Sequence, residues 1–436
     1  MNYRSIARSN PSLSKSLLSC TSLFLWLIFS SSPSFGQGVI QELNFNGLKK
    51  TKASHLQYFI DSKTGTEFNP QQIDKDIQRL KNLYAVANAM YQVDTLEKGL
   101  KLTFEIEEAL TLFPIINFGG VKGNFWYQVG FTDINWLGRG KQLTMYYQDN
   151  DRRSNFNIYY RDPFLNGSKW GYSFGAFRFA SIEPLFFGNE VVFYDYTNLS
   201  IGATGIYNIN RQQYFELGLT YFIEDYEKNA RHREEMTPGP EALREPKALL
   251  KLFHQINRID YHFFYREGIQ NTANFQSVYS FVDYSYFNIF INDFRYYKRV
   301  KEKGNFAMRF RLGIATNRNS PFAPFVVDSY VNIRGSGNRI DRGTGQLTLN
   351  FEYLHTVYER PKVAAQIVGF SDIGTWRNPG GTFADLWDPD NFRHFAGGGV
   401  RLIYKKAYNA ILRIDYGIDI YNTQQRGFVL GLGQYF

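Results

Sequence analysis

The sequence predicts a mainly-β protein: a sixteen-stranded antiparallel transmembrane β-barrel preceded by one small α+β domain of βααββ order. Three observations predict it. From about Leu112 to Phe436, segments of roughly ten to fourteen residues alternate apolar with polar or small side chains, and turn residues separate them. Aromatic content is 18%, with 40 Phe, 31 Tyr and 37 Gly, which suits strands that place their aromatics at a membrane interface. Beyond the N-terminal region no run of about 18 apolar residues occurs, so helical membrane spans are not expected.

Residues 1–36 read as a signal peptide. Arg4, Arg8 and Lys15 form a basic head, Leu17 to Phe29 an apolar core, and Ser34-Phe35-Gly36 a small-x-small cleavage site before Gln37. Cys20, the only cysteine, lies in this segment, so neither a disulfide framework nor a thiol nucleophile is expected of the mature chain.

Residues 38–109 carry the small domain. Val39 to Phe45 alternates and ends at an Asn46-Gly47 turn. Residues 53–61 read as a short helix with Leu56, Phe59 and Ile60 on one side. A second helix starts at Asn69-Pro70: Asn suits the N-cap, Pro the first helical position, and Gln72 three residues on would complete a capping box. Ile73, Ile77, Leu80 and Tyr84 follow at helical spacing. Two strands, 88–95 and 100–107, close the unit around a Lys98-Gly99 turn. A small sheet of this kind leaves an edge strand free, to which an extended peptide can add.

Residues 110–436 form the barrel. The expected strands are 112–119, 123–137, 139–150, 153–163, 168–182, 190–208, 211–226, 248–266, 269–283, 286–299, 304–316, 345–357, 361–374, 393–405, 408–421 and 424–436. Phe125, Tyr127, Val129 and Phe131 show the alternation; so do Leu412, Ile414, Tyr416 and Ile418, with Arg413 and Asp415 on the opposite face. The long connections, 227–247, 317–344 and 375–392, all follow odd-numbered barrel strands, and those after even strands are short. Outer-membrane barrels show this asymmetry, with short turns on the periplasmic side. In the last strand Phe428, Leu430, Leu432 and Phe436 are expected to face lipid. Closure requires it to pair with the first strand. Gly119 and Gly120 on one partner, and Gly431 and Gly433 on the other, weaken that seam.

The stretch from Tyr330 to Asp372 carries the candidate site. Leu347, Leu349, Phe351 and Tyr353 share one face of a strand, and Glu352 lies on the other. On the next strand Ala365, Ile367 and Ile373 share a face, opposite Phe370, Asp372 and Gly374. Arg334 stands in the loop just before them. The residues leave two readings open: a surface turn with scattered charges, or a loop folded back so that Arg334 meets Glu352 and Asp372 in charge-assisted hydrogen bonds.

The formal net charge of +9 is spread rather than clustered. It fits a basic lumen or attraction to anionic lipid, and gives no support to nucleic-acid binding. None of the six histidines (His55, His232, His254, His262, His355 and His394) has metal-ligand spacing, and no Gly-x-Ser-x-Gly elbow occurs. Neither a cofactor nor a metal is expected. A Ser and a His converging on adjacent strands would be the remaining route to a barrel lipid hydrolase.

Several motifs, in order, resemble the superfamily of BamA, TamA and FhaC. They are the Asn46-Gly47 turn and the helix through Arg79-Leu80; Gly130 to Gly140; Arg161-Asp162-Pro163-Phe164; Ile333-Arg334-Gly335-Ser336; Phe370-Ser371-Asp372-Ile373-Gly374; and Arg413-Ile414-Asp415-Tyr416-Gly417. The resemblance covers essentially all of the chain after residue 36. It implies a barrel of sixteen strands behind one periplasmic POTRA domain, in the outer membrane of a Gram-negative bacterium. It also implies that the loop bearing Ile333, Arg334, Gly335 and Ser336 lies inside the barrel, against the strand with Phe370, Asp372 and Gly374. Ser336 departs from the aromatic residue usual at the fourth position.

The resemblance implies a non-enzymatic protein-handling machine that inserts β-barrel proteins into the outer membrane or moves proteins across it. Its partners would be outer-membrane lipid and unfolded outer-membrane or secreted clients, with periplasmic chaperones or lipoproteins as candidates for the POTRA domain. The client would add a strand to the POTRA edge and then meet the seam. A passive pore is the alternative. A plug-like brace with no part in transport is the plainer reading of Arg334, and a solvated lumen acid that of Glu352 and Asp372.

Overall fold

The computed structural model describes residues 38–436 except 122–123, 151–152, 188–189, 230–237, 263, 318–321, 328–331, 338–340 and 408–409. The expected signal segment, with Cys20, lies outside the described residues.

The small domain runs β1 (Ile40–Asn46), α1 (Ala53–Gln57), α2 (Pro70–Lys81), β2 (Val86–Leu96) and β3 (Gly99–Glu108). β3 is central, parallel to β1 and antiparallel to β2, so β2 is an edge. Leu56, Ile60, Ile73, Leu80, Leu102 and Phe104 form its core. α1 is shorter than the spacing suggests; it ends at Gln57, and Phe59 and Ile60 are buried from the turn that follows. The Asn69 side chain accepts from the Gln72 N–H as expected, but no capping box closes. Gln72 donates instead to Asp76, at 3.0 Å. Asp76 is fully buried on the inner face of α2 and also accepts from the Asp61 and Ser62 amides, the Ser62 hydroxyl and Arg79. A buried carboxylate needs every donor within reach, and it draws Gln72 away from the cap.

The barrel strands are β4 (Leu112–Val121), β5 (Asn124–Trp136), β6 (Lys141–Asn150), β7 (Arg153–Asp162), β8 (Trp170–Phe187), β9 (Glu190–Asn210), β10 (Gln213–Lys228) and β11 (Ala242–His262). They continue with β12 (Tyr265–Ser280), β13 (Tyr286–Val300), β14 (Gly304–Ala315), β17 (Gly345–Glu359), β18 (Val363–Arg377), β19 (Phe392–Tyr404), β20 (Ile411–Asp419) and β21 (Arg426–Leu432). A two-stranded hairpin, β15 (Phe325–Val327) with β16 (Asp341–Gly343), stands at the base of the long loop between β14 and β17. The sixteen strands form one antiparallel sheet in chain order. β11 begins inside the stretch expected to be an exterior loop, because Ala242 to Lys247 continues the ladder with β10. Along β10, Leu217, Leu219 and Tyr221 are exposed while Glu216, Phe222 and Glu224 are buried. Polar groups thus line the lumen, and a band of exposed apolar side chains faces outward, as a lipid-facing wall requires.

The sequence leaves the resting state of the seam open, and the structure has it unpaired; one expectation, about the end of the last strand, is overturned. β4 and β21 are the edges of the sheet; no ladder joins them, so the sheet is open along one line. The last strand also stops at Leu432 rather than Phe436. At Gly433 φ is +84°, a conformation glycine adopts freely, and the chain turns inward. Phe428, Leu430 and Leu432 are exposed as expected, but Phe436 is only 4% exposed, packed in the lumen on Ile259, Tyr297 and Ala307. Alternation extrapolated along a strand fails where the strand ends.

The small domain lies across the barrel end that carries the short turns. Lys50 donates to Asp133 at 2.6 Å and to Thr111 at 3.1 Å, and Asn135 donates to Thr51 at 2.9 Å. Tyr58 and Phe59 pack on Phe164. Arg211 reaches Asp61 at 2.8 Å, and Asn82 donates to Asp260 at 3.0 Å. The turn Leu137–Gly140 is the tightest contact: Gly138, at φ +70°, sits so close that a Cβ would fall 1.9 Å from the Lys50 carbonyl oxygen. Gly140 makes room for His55, whose ring would lie 2.4 Å from a Cβ there.

Burial in this junction lowers the His55 pKa from 6.5 to about 4, with Asp162 opposing the shift. The docked form therefore holds His55 neutral. Docking strength is complete above 6.5 and is lost as pH falls from 6.5 towards about 4, by at most about 3 kcal/mol. Spin labels on Lys63→Cys and Lys169→Cys should give a distance distribution that broadens across that window in the parent chain and stays constant in a His55→Gln background.

Candidate functional site: the lumen loop and the seam

The loop between β14 and β17 turns into the barrel and delivers Arg334 to the inner wall. β17 and β18 are in a register that sets Asn350 opposite Asp372 and Glu352 opposite Phe370. All four side chains point inward and are buried. Arg334 is 0% exposed. Its Nε and Nη2 form a fork onto Asp372 at 2.8 and 2.9 Å, and its own backbone N–H donates to the same carboxylate at 2.9 Å. Nη1 donates to Glu352 at 2.7 Å. Asn350 donates to Asp372 at 2.9 Å and to the Asn332 carbonyl at 2.7 Å, fixing the loop to β17. The guanidinium lies 3.8 Å from the centre of the Phe370 ring on one side and 4.3 Å from that of Tyr435 on the other. Of the two readings the sequence leaves open, the structure has the inward loop.

The cluster is larger than the sequence reading foresaw. Arg401 on β19 pairs with Asp415 on β20 at 2.5 and 3.2 Å. Arg401 also lies 3.7 Å from Glu352, and Asp415 3.8 Å from Arg334. Arg413 stacks on Tyr435 at 4.8 Å and donates to the Gln434 carbonyl at 3.1 Å. Two guanidiniums, Arg334 and Arg401, therefore meet three carboxylates, Glu352, Asp372 and Asp415, and Arg413 joins them through the Tyr435 ring. Arg413 and Asp415 could be placed on the inner face from alternation. Tyr435 could not, because its place depends on the turn at Gly433.

The glycines of the motifs have a steric reason. Gly335, at φ +93°, lies against Gly417: a Cβ on Gly335 would come 2.7 Å from the Gly417 carbonyl oxygen, and one on Gly417 would come 2.3 Å from that of Arg334. The loop backbone thus rests directly on β20, an approach only glycine permits. Gly374 leaves room for Ile333, whose Cδ1 would be 2.4 Å from a Cβ there; Ile333 then packs on Trp376 and Phe395. Ser336, in place of an aromatic, is buried and donates its hydroxyl to the Ile333 carbonyl at 2.8 Å, closing the loop tip on itself.

At the seam, Gly119 and Gly120 of β4 pair with Trp126 and Phe125 of β5. Gly431 pairs with Arg413, and a Cβ on it would meet the guanidinium at 2.6 Å. Gly433 lies beyond the ladder. Arg266 donates to the Phe436 carbonyl oxygen at 2.9 Å, so the inward turn is held at its far end as well. Beside it, the linker to β4 bonds the β19–β20 turn: the Leu110 N–H donates to the Lys406 carbonyl at 3.3 Å.

Residues 38–109 match the POTRA family model, a surface antigen variable number repeat, and residues 135–436 match the Omp85 superfamily domain. Among solved structures, BamA from Haemophilus ducreyi lacking POTRA domains 1–3 is similar at 15% identity and a TM-score of 0.53, over 90% of this chain and 83% of that one. CdiB from Acinetobacter baumannii is similar at 13% identity and a TM-score of 0.55, over 91% and 74%. CdiB from Escherichia coli is similar at 12% and 0.52, also over 91% and 74%. At these identities the likeness is one of fold.

Removing Arg334 leaves Asp372 and Glu352 buried without their cation. Arg334→Ala should cost about 3–5 kcal/mol, read as a lower temperature for the folded-to-unfolded band shift on a semi-native gel. Arg334→Lys should recover little, since an ammonium cannot reproduce the fork. Gly417→Ala should destabilise comparably without touching a charge.

Proposed function

The chain belongs to the Omp85 superfamily, and from that premise we propose that it assembles proteins at the outer membrane, inserting β-barrel clients through the line where β4 and β21 fail to pair. The observation that carries this reading is the pair of free edges on an otherwise continuous sixteen-stranded sheet. A nascent barrel has unpaired strand edges that lipid cannot satisfy. A free edge in the wall offers the backbone donors and acceptors it lacks. β2 of the POTRA domain is a second free edge, on the side from which a periplasmic client would arrive, and it would take the first strand by addition.

The lumen supports insertion over translocation and over a passive pore. The Arg334 loop and the Tyr435–Phe436 segment pack against its inner wall, and the POTRA domain lies across the end with short turns. Arg334 braces β17, β18 and β20 while the free edges engage a client. No step requires covalent chemistry, and the chain acts as a template rather than as an enzyme.

Quantitative outer-membrane proteomics after depletion tests the reading. Loss of one or more barrels from the membrane, with their accumulation in the periplasm, is the expected result. Loss of a secreted protein with normal barrels would instead mean translocation, and no change in either would return the passive pore. A second test addresses the seam. Cysteines scanned across Pro114–Ile116 against Val429–Leu432 should yield an oxidised pair that stops client assembly, with reduction restoring it. A crosslinked seam that still assembled clients would sink the lateral route.

A further inference from the structure

The outer wall carries a roofed groove that neither the brace nor the seam uses. The loop 378–391 does not stand out from the barrel end; it folds down over the outside of β18. Thr375 donates to the Leu386 carbonyl at 2.9 Å, and Asn391 donates to the Trp376 and Asp385 carbonyls at 3.1 and 3.2 Å. Phe383 sits on Arg377 with 5.2 Å between ring centre and guanidinium. A capping box between Thr382 and Asp385 stiffens the turn. Between this roof and the wall lies a cleft of about 920 Å³. Its floor is Phe310, Leu349 and Ile373, its roof Leu386 and Trp387, and Phe392 closes one side.

One step along the same wall is a polar pair. The Ser371 hydroxyl and His394 Nε2 are 2.9 Å apart. Their neighbours Asp372 and Phe395 are buried inward, so strand alternation puts Ser371 and His394 on the outward face. Ile373, on the groove floor, is the cross-strand partner of His394. An ionisable residue on a lipid-facing strand is costly unless it has a task. The His394 ring also lies beside that of Tyr421, with 6.2 Å between centroids, and Tyr421 lines the groove.

We propose that the groove is a binding site for one acyl chain of a membrane lipid, with Ser371 and His394 as hydrogen-bonding partners for the ester at the head of that chain. The occupant follows from the position: the groove opens off the wall that the bilayer already covers, so the ligand at its mouth is lipid. The cleft has the size of a small-molecule site and a mainly apolar lining; Asp390, Arg393, Asp419 and Asn422 are its polar lining groups, and Ser371 and His394 lie just beside it. The assignment is binding, not hydrolysis. Among the described residues the only hydrogen bond on the His394 ring is the one to Ser371, so no carboxylate orients the imidazole as a general base.

The test is lipid retention. The full chain is purified from membranes, washed in detergent, and its co-purifying phospholipid counted by native mass spectrometry; folding of each variant is checked by its semi-native gel band. The parent should keep a stoichiometric lipid. Leu349→Trp, which fills the floor, should lower retention about tenfold. Ser371→Val with His394→Phe makes the wall greasier but removes both polar partners, and should lower retention as well. Phe428→Ala, on exposed wall away from the groove, should change nothing. Retention unchanged or raised in either groove variant would overturn the proposal and leave only ordinary annular lipid there.

Discussion

A guanidinium taken out of water must find its charge and its donors met, and the lumen is arranged around meeting them at Arg334. Three strands and a loop contribute. β18 supplies Asp372 and Phe370, β17 supplies Glu352 and Asn350, and β20 supplies Asp415. Replacing such a cluster by apolar side chains of the same volume can stabilise a protein, whereas removing one member leaves a stranded charge. The cluster is thus better read as fixing a single arrangement than as adding stability. It admits the loop in one register only, because the backbone of Gly335 must meet that of Gly417.

That single register links elements far apart in sequence. Tyr435 lies between Arg334 and Arg413, so the segment after β21 is held by the same charges that hold the loop. Arg266 fixes its far end through Phe436. A Cβ on Gly427 of β21 would come 3.0 Å from the Gly335 carbonyl oxygen, so the last strand also rests on the loop. The position of the β21 edge and the state of the brace are therefore one structural variable. Where the loop is seated, the segment is turned inward and β21 ends short.

Most of this was legible before any coordinates. Alternation is a strong signal when one face meets lipid and the other meets water, and it located all sixteen barrel strands and the inward direction of Glu352, Asp372, Arg413 and Asp415. The POTRA helix α2 was legible because Asn69 and Pro70 mark its start chemically. What failed had no periodic signature. Asp76 shares a helical face with Ile73 and Leu80, but no periodic pattern shows that it is the buried hub that takes Gln72 from the cap. Phe436 continues the outward spacing of Phe428, Leu430 and Leu432, but the left-handed turn at Gly433 removes it from the strand. Glycine is common in these strands, so the residue type alone does not mark where the ladder stops. The fold of loop 378–391 onto the wall is set by side-chain to backbone bonds from Thr375 and Asn391, which no local pattern announces.

The open edges raise a physical question that the rest of the structure answers. A barrel normally removes every edge, since unpaired N–H and C=O groups in lipid cost several kcal/mol each. Here two edges persist. Shortening is one way to limit the cost, and β21, at seven residues, is the shortest barrel strand. The groups past its end are satisfied on the barrel side: the Gly433 N–H donates to the Ile411 carbonyl of β20 at 2.7 Å, the Gln434 carbonyl accepts from Arg413, and that of Phe436 from Arg266. At the other edge, the linker ahead of β4 bonds the β19–β20 turn through Leu110. The edge cost is thus confined to a short stretch of wall. A client strand pairing there would recover it without disturbing the charges that hold the lumen.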